Sequence, residues 1–206
     1  MIDPDILAYR QAEDRLVVAR LREAGILCDS VYDFVNGPTP RSAVPVLVTL
    51  LDVIREHVIL QGIVRALRTK SAKGKVEARL IALFRSLPTE LDDGLKWAIG
   101  NTLGGLDRQA IAEDLLTLAA DKSQGSGRQM IVDALWSIKG AHVTEALIEL
   151  LADEDVNGHA ISALRRRHAR EAIPTLERFE EHPNAWKRNS AARAISAIRR
   201  FNSTRH

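Results

Sequence analysis

The sequence predicts an all-α protein: a right-handed α–α superhelix, that is, a stack of short helix pairs closed at its start by a helical cap. Three observations predict it. Ala, Leu, Ile and Arg dominate while aromatics are only 4% of the 206 residues, a composition that favours helices because these side chains lose little freedom there. Five stretches resemble one another: GIVRALRTK (62–70), AIGNTLGGL (98–106), MIVDALWSI (130–138), HAISALRRR (159–167) and RAISAIRRF (193–201). Registered on Leu67, Leu103, Leu135, Leu164 and Ile198, they recur at intervals of 36, 32, 29 and 34 residues. Those intervals suit two short helices with their turns. Finally, the apolar positions repeat as a helical stripe, with no strand alternation anywhere.

The elements follow in order. In residues 1–42, Asp3-Pro4 opens a long helix that Gly25 ends, and a shorter apolar turn over 30–35 closes at Asn36-Gly37-Pro38. This segment is the candidate cap, since the first repeat of a stack needs its apolar face covered. Residues 43–206 hold about five helix pairs, and no linker divides the chain, so 1–206 reads as a single domain. The first helices are SAVPVLVTLLDVI, VEARLIALFRSL, AIAEDLLTLAAD, TEALIELLAD and EAIPTLERFEEH. Pro45 and Pro174 sit where a first turn tolerates a missing N–H. Asp155 and Asn184 occupy the positions expected of N-caps for the fourth and fifth second helices. Gly125-Ser126-Gly127 punctuates the start of the third. On the third second helix Ile131, Val132, Leu135 and Ile138 share one face; on the fifth, Ala194, Ile195, Ile198 and Phe201 do. One such pair cannot bury its apolar face alone, so neighbours must stack.

The pattern A-(I/V)-P-x-L…L…A-(I/L)-S-A-(I/L) resembles the HEAT-repeat family, in particular the short HEAT-like repeats also found in phycobilin lyase subunits. The resemblance covers about residues 43–201 and is clearest in the first, fourth and fifth repeats; no proline opens the second or third, and two glycines follow Leu103. It implies that the second helices line a concave side where partners bind. Bilin attachment, which the lyase likeness raises, is not implied by single-repeat similarity.

The residues on that implied wall are the candidate site. One and two positions past the registered Leu or Ile lie Arg68, Trp136, Arg165, Arg166, Arg199 and Arg200, with Trp97 on the second repeat. The charge is polarised. From Val156 onward there are 11 Lys/Arg against 4 Asp/Glu, a net +7, while the other 155 residues carry −5. Such an end steers anionic partners. Lys70 and Arg167 fall at the edge of the core stripe and are read as snorkelling side chains. The function read from this surface is a non-catalytic scaffold binding a protein or peptide, acidic by preference. The alternative is a nucleic-acid binder using Arg165, Arg166, Arg199 and Arg200, with Lys187 and Arg193 nearby, on phosphates and Trp97, Trp136 and Trp186 for stacking. Its narrowest form is a DNA base-repair glycosylase, because a HEAT-like glycosylase family pairs concave tryptophans with an aspartate, as Trp136 and Asp133 suggest. No recognition-helix or RNP-type motif supports it.

Other chemistries find little footing. The six histidines show no metal-ligand spacing such as HExxH. Glu56-His57 and Glu181-His182 reverse the His-Glu order of iron-binding HEAT hydroxylases and do not recur in each repeat. No cofactor is expected. Gly125-Ser126-Gly127-Arg128 lacks the Walker lysine and reads as a helix cap. Cys28, the only cysteine, excludes an internal disulfide and is expected as a buried thiol in the cap. With no stretch of 18 apolar residues and no apolar signal core at the start, a cytoplasmic setting is the simplest expectation.

Overall fold

The computed structural model describes residues 3–89 and 94–203. It is 73% helical, with no strand among the described residues, which establishes the all-α class. The chain gathers into two compact units, residues 1–107 and 108–206. Each is an α-solenoid segment of stacked helix pairs.

The first unit contains α1 (Pro4–Glu23), α2 (Asp33–Asn36), α3 (Ala43–Leu50), α4 (His57–Ala66), α5 (Glu77–Ser86) and α6 (Gly94–Leu103). Asp3 starts α1: its side chain accepts from the Asp5 amide at 2.9 Å, and Pro4 follows in the first turn. Helix α1 buries Val17, Val18 and Leu21 and packs on α3 and α4. Helix α2 lies on α4, where the Tyr32 hydroxyl donates to the Val58 carbonyl at 2.7 Å. Cys28, in the segment that joins α1 to α2, is buried, and loss of hydration pushes its thiol above the ordinary range. Glu56 caps α4 by accepting from the Ile59 amide, and its other oxygen takes the Arg10 Nε, both at 2.9 Å. That carboxylate is therefore occupied by structure.

The second unit contains α7 (Ala112–Ala120), α8 (Gln129–Ala134), α9 (Ala141–Glu149), α10 (Asn157–Arg167), α11 (Ile173–Glu177) and α12 (Ala185–Ser203). Several first and second helices tighten into 3-10 turns at their ends, among them Leu135–Ser137 after α8 and Arg178–Glu181 after α11. The five pairs are thus α3/α4, α5/α6, α7/α8, α9/α10 and α11/α12. Within each unit the second helices pack directly on one another, α4 on α6, then α8 on α10 and α10 on α12. The registered residues Leu67, Leu103, Leu135, Leu164 and Ile198 are all fully buried. Each such side chain stabilises the stack by about 1.5–3 kcal/mol relative to exposure. Phe201, expected in that stripe, is only half-buried; its ring instead stacks on His168 with centroids 3.6 Å apart.

Two N-terminal caps were expected, and the structure separates them. Asn184 does cap α12, its Oδ1 accepting from the amides of Trp186 at 2.9 Å and Lys187 at 3.3 Å. Replacing it with Ala should cost about 1 kcal/mol in urea unfolding; an unchanged midpoint would contradict the capping role. Asp155 caps nothing. Val156 holds the cap position of α10 without a side-chain bond, and Asp153 instead accepts from the Asp155 amide at 3.1 Å.

Asp153 belongs to a buried pair. Arg128, fully buried, donates to Asp153 at 2.6 Å, to the Ala119 carbonyl at the end of α7 at 2.8 Å, and to the Gly125 carbonyl at 3.0 Å. Burial pushes the Asp153 carboxyl up, but the Arg128 hydrogen bond, the Asp155 amide and the Arg128 charge outweigh it and leave the group below its ordinary range. The Gly-Ser-Gly-Arg stretch thus ends in a core cation.

Arg167 also performs a structural task. Its guanidinium donates to the carbonyls of Leu135, Trp136, Ile138 and Gly140 and to the Thr144 hydroxyl. These carbonyls end the preceding second helix, where intrahelical donors have run out. Lys70, read alongside it, is exposed in the 3-10 turn Lys70–Ala72.

Candidate partner-binding face

Arginines collect on α10 and α12, on the exposed faces and flanks that the apolar core stripe leaves to polar side chains. The two helices together hold Arg165, Arg166, Arg167, Lys187, Arg188, Arg193, Arg199 and Arg200, and no Asp or Glu at all. Neighbouring elements supply the counter-charges, and they divide the set.

Arg166 turns toward α8. It pairs with Asp133 at 2.8 Å, and its guanidinium carbon lies 4.2 Å from the centroid of the Trp136 ring. Arg108 approaches the same ring at 5.5 Å. The indole is therefore flanked by two cations, an arrangement worth about 0.5–2 kcal/mol per contact depending on hydration. Its Nε1 is buried and finds no acceptor. His159 stands on the same side of α10; burial pushes its pKa down, and the Asp133 charge partly opposes this. Asp133, the carboxylate a glycosylase would need, is thus engaged by Arg166.

Arg165, one residue earlier and about 100° round the helix, turns toward α12. There it lines a cavity of about 190 Å³ with Gly158, Ile161, Ser162, Trp186, Ser190 and Arg193. Arg199 pairs with Glu177 of α11 at 2.6 Å, so it lies on the flank between the two helices of its own pair. Arg200 is exposed on the last turns of α12. Lys187 is held at 2.5 Å by Glu154, whose carboxyl the Lys187 and His182 hydrogen bonds keep below the ordinary range.

Arg68 and Trp97 belong to the first unit. Arg68 lies over Gly105, where an added Cβ would come within 2.8 Å of its Cγ, and its Nε donates to the Asn101 carbonyl at 3.1 Å. Trp97 projects from α6 with 39% of its surface exposed. The structure thus unites Trp136 with Arg166, gives Arg165 separate company, and engages Arg68 with a carbonyl of α6 and Arg199 with a carboxylate of α11. Arg108, Gly158, Ser162 and Ser190 were absent from the sequence-based set. A glycine inside the opening turn of an otherwise regular helix was the one signal available for the α10/α12 cavity.

No group of His, Cys, Asp and Glu among the described residues is arranged to hold a metal ion. No helix among them is long and apolar enough to cross a membrane.

Paired helices stacked in register define a helical-repeat protein of the α-solenoid class, whose last two second helices are basic. No protein-family model and no curated protein matches the chain. Among solved structures it is similar to an engineered protein, at 17% identity and TM-score 0.47, covering 82% of this chain and 87% of that one. It is also similar to a designed armadillo repeat protein, at 16% identity and TM-score 0.46, covering 95% of this chain and 99% of that one.

Proposed function

We propose that the chain is a non-catalytic HEAT-like scaffold, working in the cytoplasm, that binds an acidic protein or peptide along the free faces of its second helices. The observation that carries this reading is the complete absence of carboxylates from α10 and α12 beside eight Lys and Arg. The packing of α8 on α10 and of α10 on α12 supports the reading, since stacked repeats offer partners a continuous helical surface. Trp136 supplies a rigid aromatic anchor, the kind of residue that dominates interface energies. Asp133 holds Arg166 over that ring, which favours a positioning role for the carboxylate over a catalytic one.

The test is titration of the whole chain with a glutamate-rich peptide at low salt, in parallel with short duplex DNA. The peptide should bind, and Trp136→Ala or Arg166→Ala should weaken it by about tenfold, the loss of one buried aromatic or charged contact. Binding of DNA in preference to peptide, with a steep salt dependence, would replace this reading with the nucleic-acid one. A peptide affinity indifferent to both substitutions would move the site elsewhere.

A further inference from the structure

We infer that the cavity between α10 and α12 is a phosphoryl subsite, built to take the phosphomonoester of a phosphorylated peptide. The inference rests on the scaffold reading above and makes it specific.

Most cations of this face are already spent. Arg166 holds Asp133, Arg199 holds Glu177, Lys187 holds Glu154, and Arg167 and Arg188 donate to main-chain carbonyls. Arg165 and Arg193 differ. Neither has a carboxylate or carbonyl partner among the described residues, and the contact Arg193 makes is with the Ser190 hydroxyl at 3.3 Å. Both line the same cavity. Two guanidinium groups without counter-ions present more donors than a single carboxylate can use; a dianionic phosphate has the charge and the oxygens to match them. The hydroxyls of Ser162 and Ser190 line the cavity too, and each can donate to a phosphate oxygen. A volume of about 190 Å³ holds roughly six waters, room for one phosphoryl group and its side-chain stem.

A second observation points the same way. Gly158 is the second residue of α10. An added Cβ there would come within 2.6 Å of the Trp186 ring. The bare backbone there seats the indole, which nevertheless remains 57% exposed. Trp186 therefore forms a fixed wall for the cavity rather than part of the core.

The pairing of the surrounding cations argues against a nucleic-acid backbone. Such a strand gains affinity from many phosphates in succession, and here the neighbouring positions already carry carboxylates. One phosphoryl group in one notch suits a peptide.

The experiment is isothermal titration of the full chain with three capped pentapeptides, alike except for a central phosphoserine, aspartate or serine, and with inorganic phosphate and a single-stranded oligonucleotide. The phosphopeptide should bind at least about tenfold more tightly than the aspartate peptide, the margin of one charge-assisted hydrogen bond. Arg165→Ala and Arg193→Ala should each remove that margin, and Gly158→Ala should weaken binding by displacing the Trp186 wall. Circular dichroism should show the first two variants folded, since both arginines are exposed. Equal binding of phosphoserine and aspartate peptides, or a margin that survives the double arginine variant, would overturn the subsite. A glutamate-rich peptide that still binds would leave the scaffold reading standing; loss of all peptide binding would end both. Preference for the oligonucleotide would assign the notch to a phosphodiester instead.

Discussion

Arg128→Ala should destabilise the protein by about 3–5 kcal/mol, the scale found when one partner of a buried ion pair is removed. The guanidinium is fully buried and joins the end of α7 to Asp153 in the loop before α10. Its loss strands a nearly buried carboxylate and an orphan carbonyl. The double variant Arg128→Met with Asp153→Leu should recover much of the loss, because two apolar groups leave no uncompensated charge. Urea unfolding of the three proteins checks this. A single variant within about 0.5 kcal/mol of the parent, the range of ordinary surface changes, would contradict the assignment. Acid supplies an independent check. The Asp153 carboxyl sits below its ordinary value of 3.8 in the folded chain. Its contribution is therefore complete above 3.8 and disappears as pH falls through the depressed folded value. Asp153→Asn should remove that part of the decline when stability is followed from about pH 5 to about pH 2.

Arg167→Ala should cost about 2–3 kcal/mol, since hydrogen bonds from a charged donor to poorly hydrated carbonyls are among the stronger ones. The side chain reaches Leu135, Trp136, Ile138 and Gly140 at once. Arg167→Lys should restore only part of this, because an ammonium group lacks the planar fork. Exposed Arg170 is the control, and Arg170→Ala should stay within about 0.5 kcal/mol. Equal thermal midpoints for the Arg167 and Arg170 variants would reduce Arg167 to a surface residue.

The architecture was legible because burial in a repeat leaves a periodic trace. Leu67, Leu103, Leu135, Leu164 and Ile198 could be registered by eye, and all five are fully buried. Asn184 was legible as a cap because a lone Asn precedes its helix. Asp155 was not, because Asp153-Glu154-Asp155 offers three carboxylates and only the path of the loop decides which one turns inward. Arg128 and Lys96 escaped for a related reason. Hydrophobic patterning assigns charge to the surface, yet both are fully buried. Within the candidate site, spacing separated exposed Arg165 and Arg166 from Arg167, which is half-buried and bonded to main-chain carbonyls. Their partners were not legible. Whether an arginine meets Asp133, Glu177 or a cavity depends on the neighbouring helix, and no spacing within one repeat encodes that.

The arginines that bridge repeats set how the chain comes apart. Arg167 of the fourth pair closes the helix end of the third, and Arg68 of the first closes that of the second. The last turns of α6 and α8 each lose a donor when the neighbouring pair melts, which couples fraying between adjacent pairs within each unit. Amide exchange should accordingly report α8 and α10 opening together, as one cooperative block rather than two.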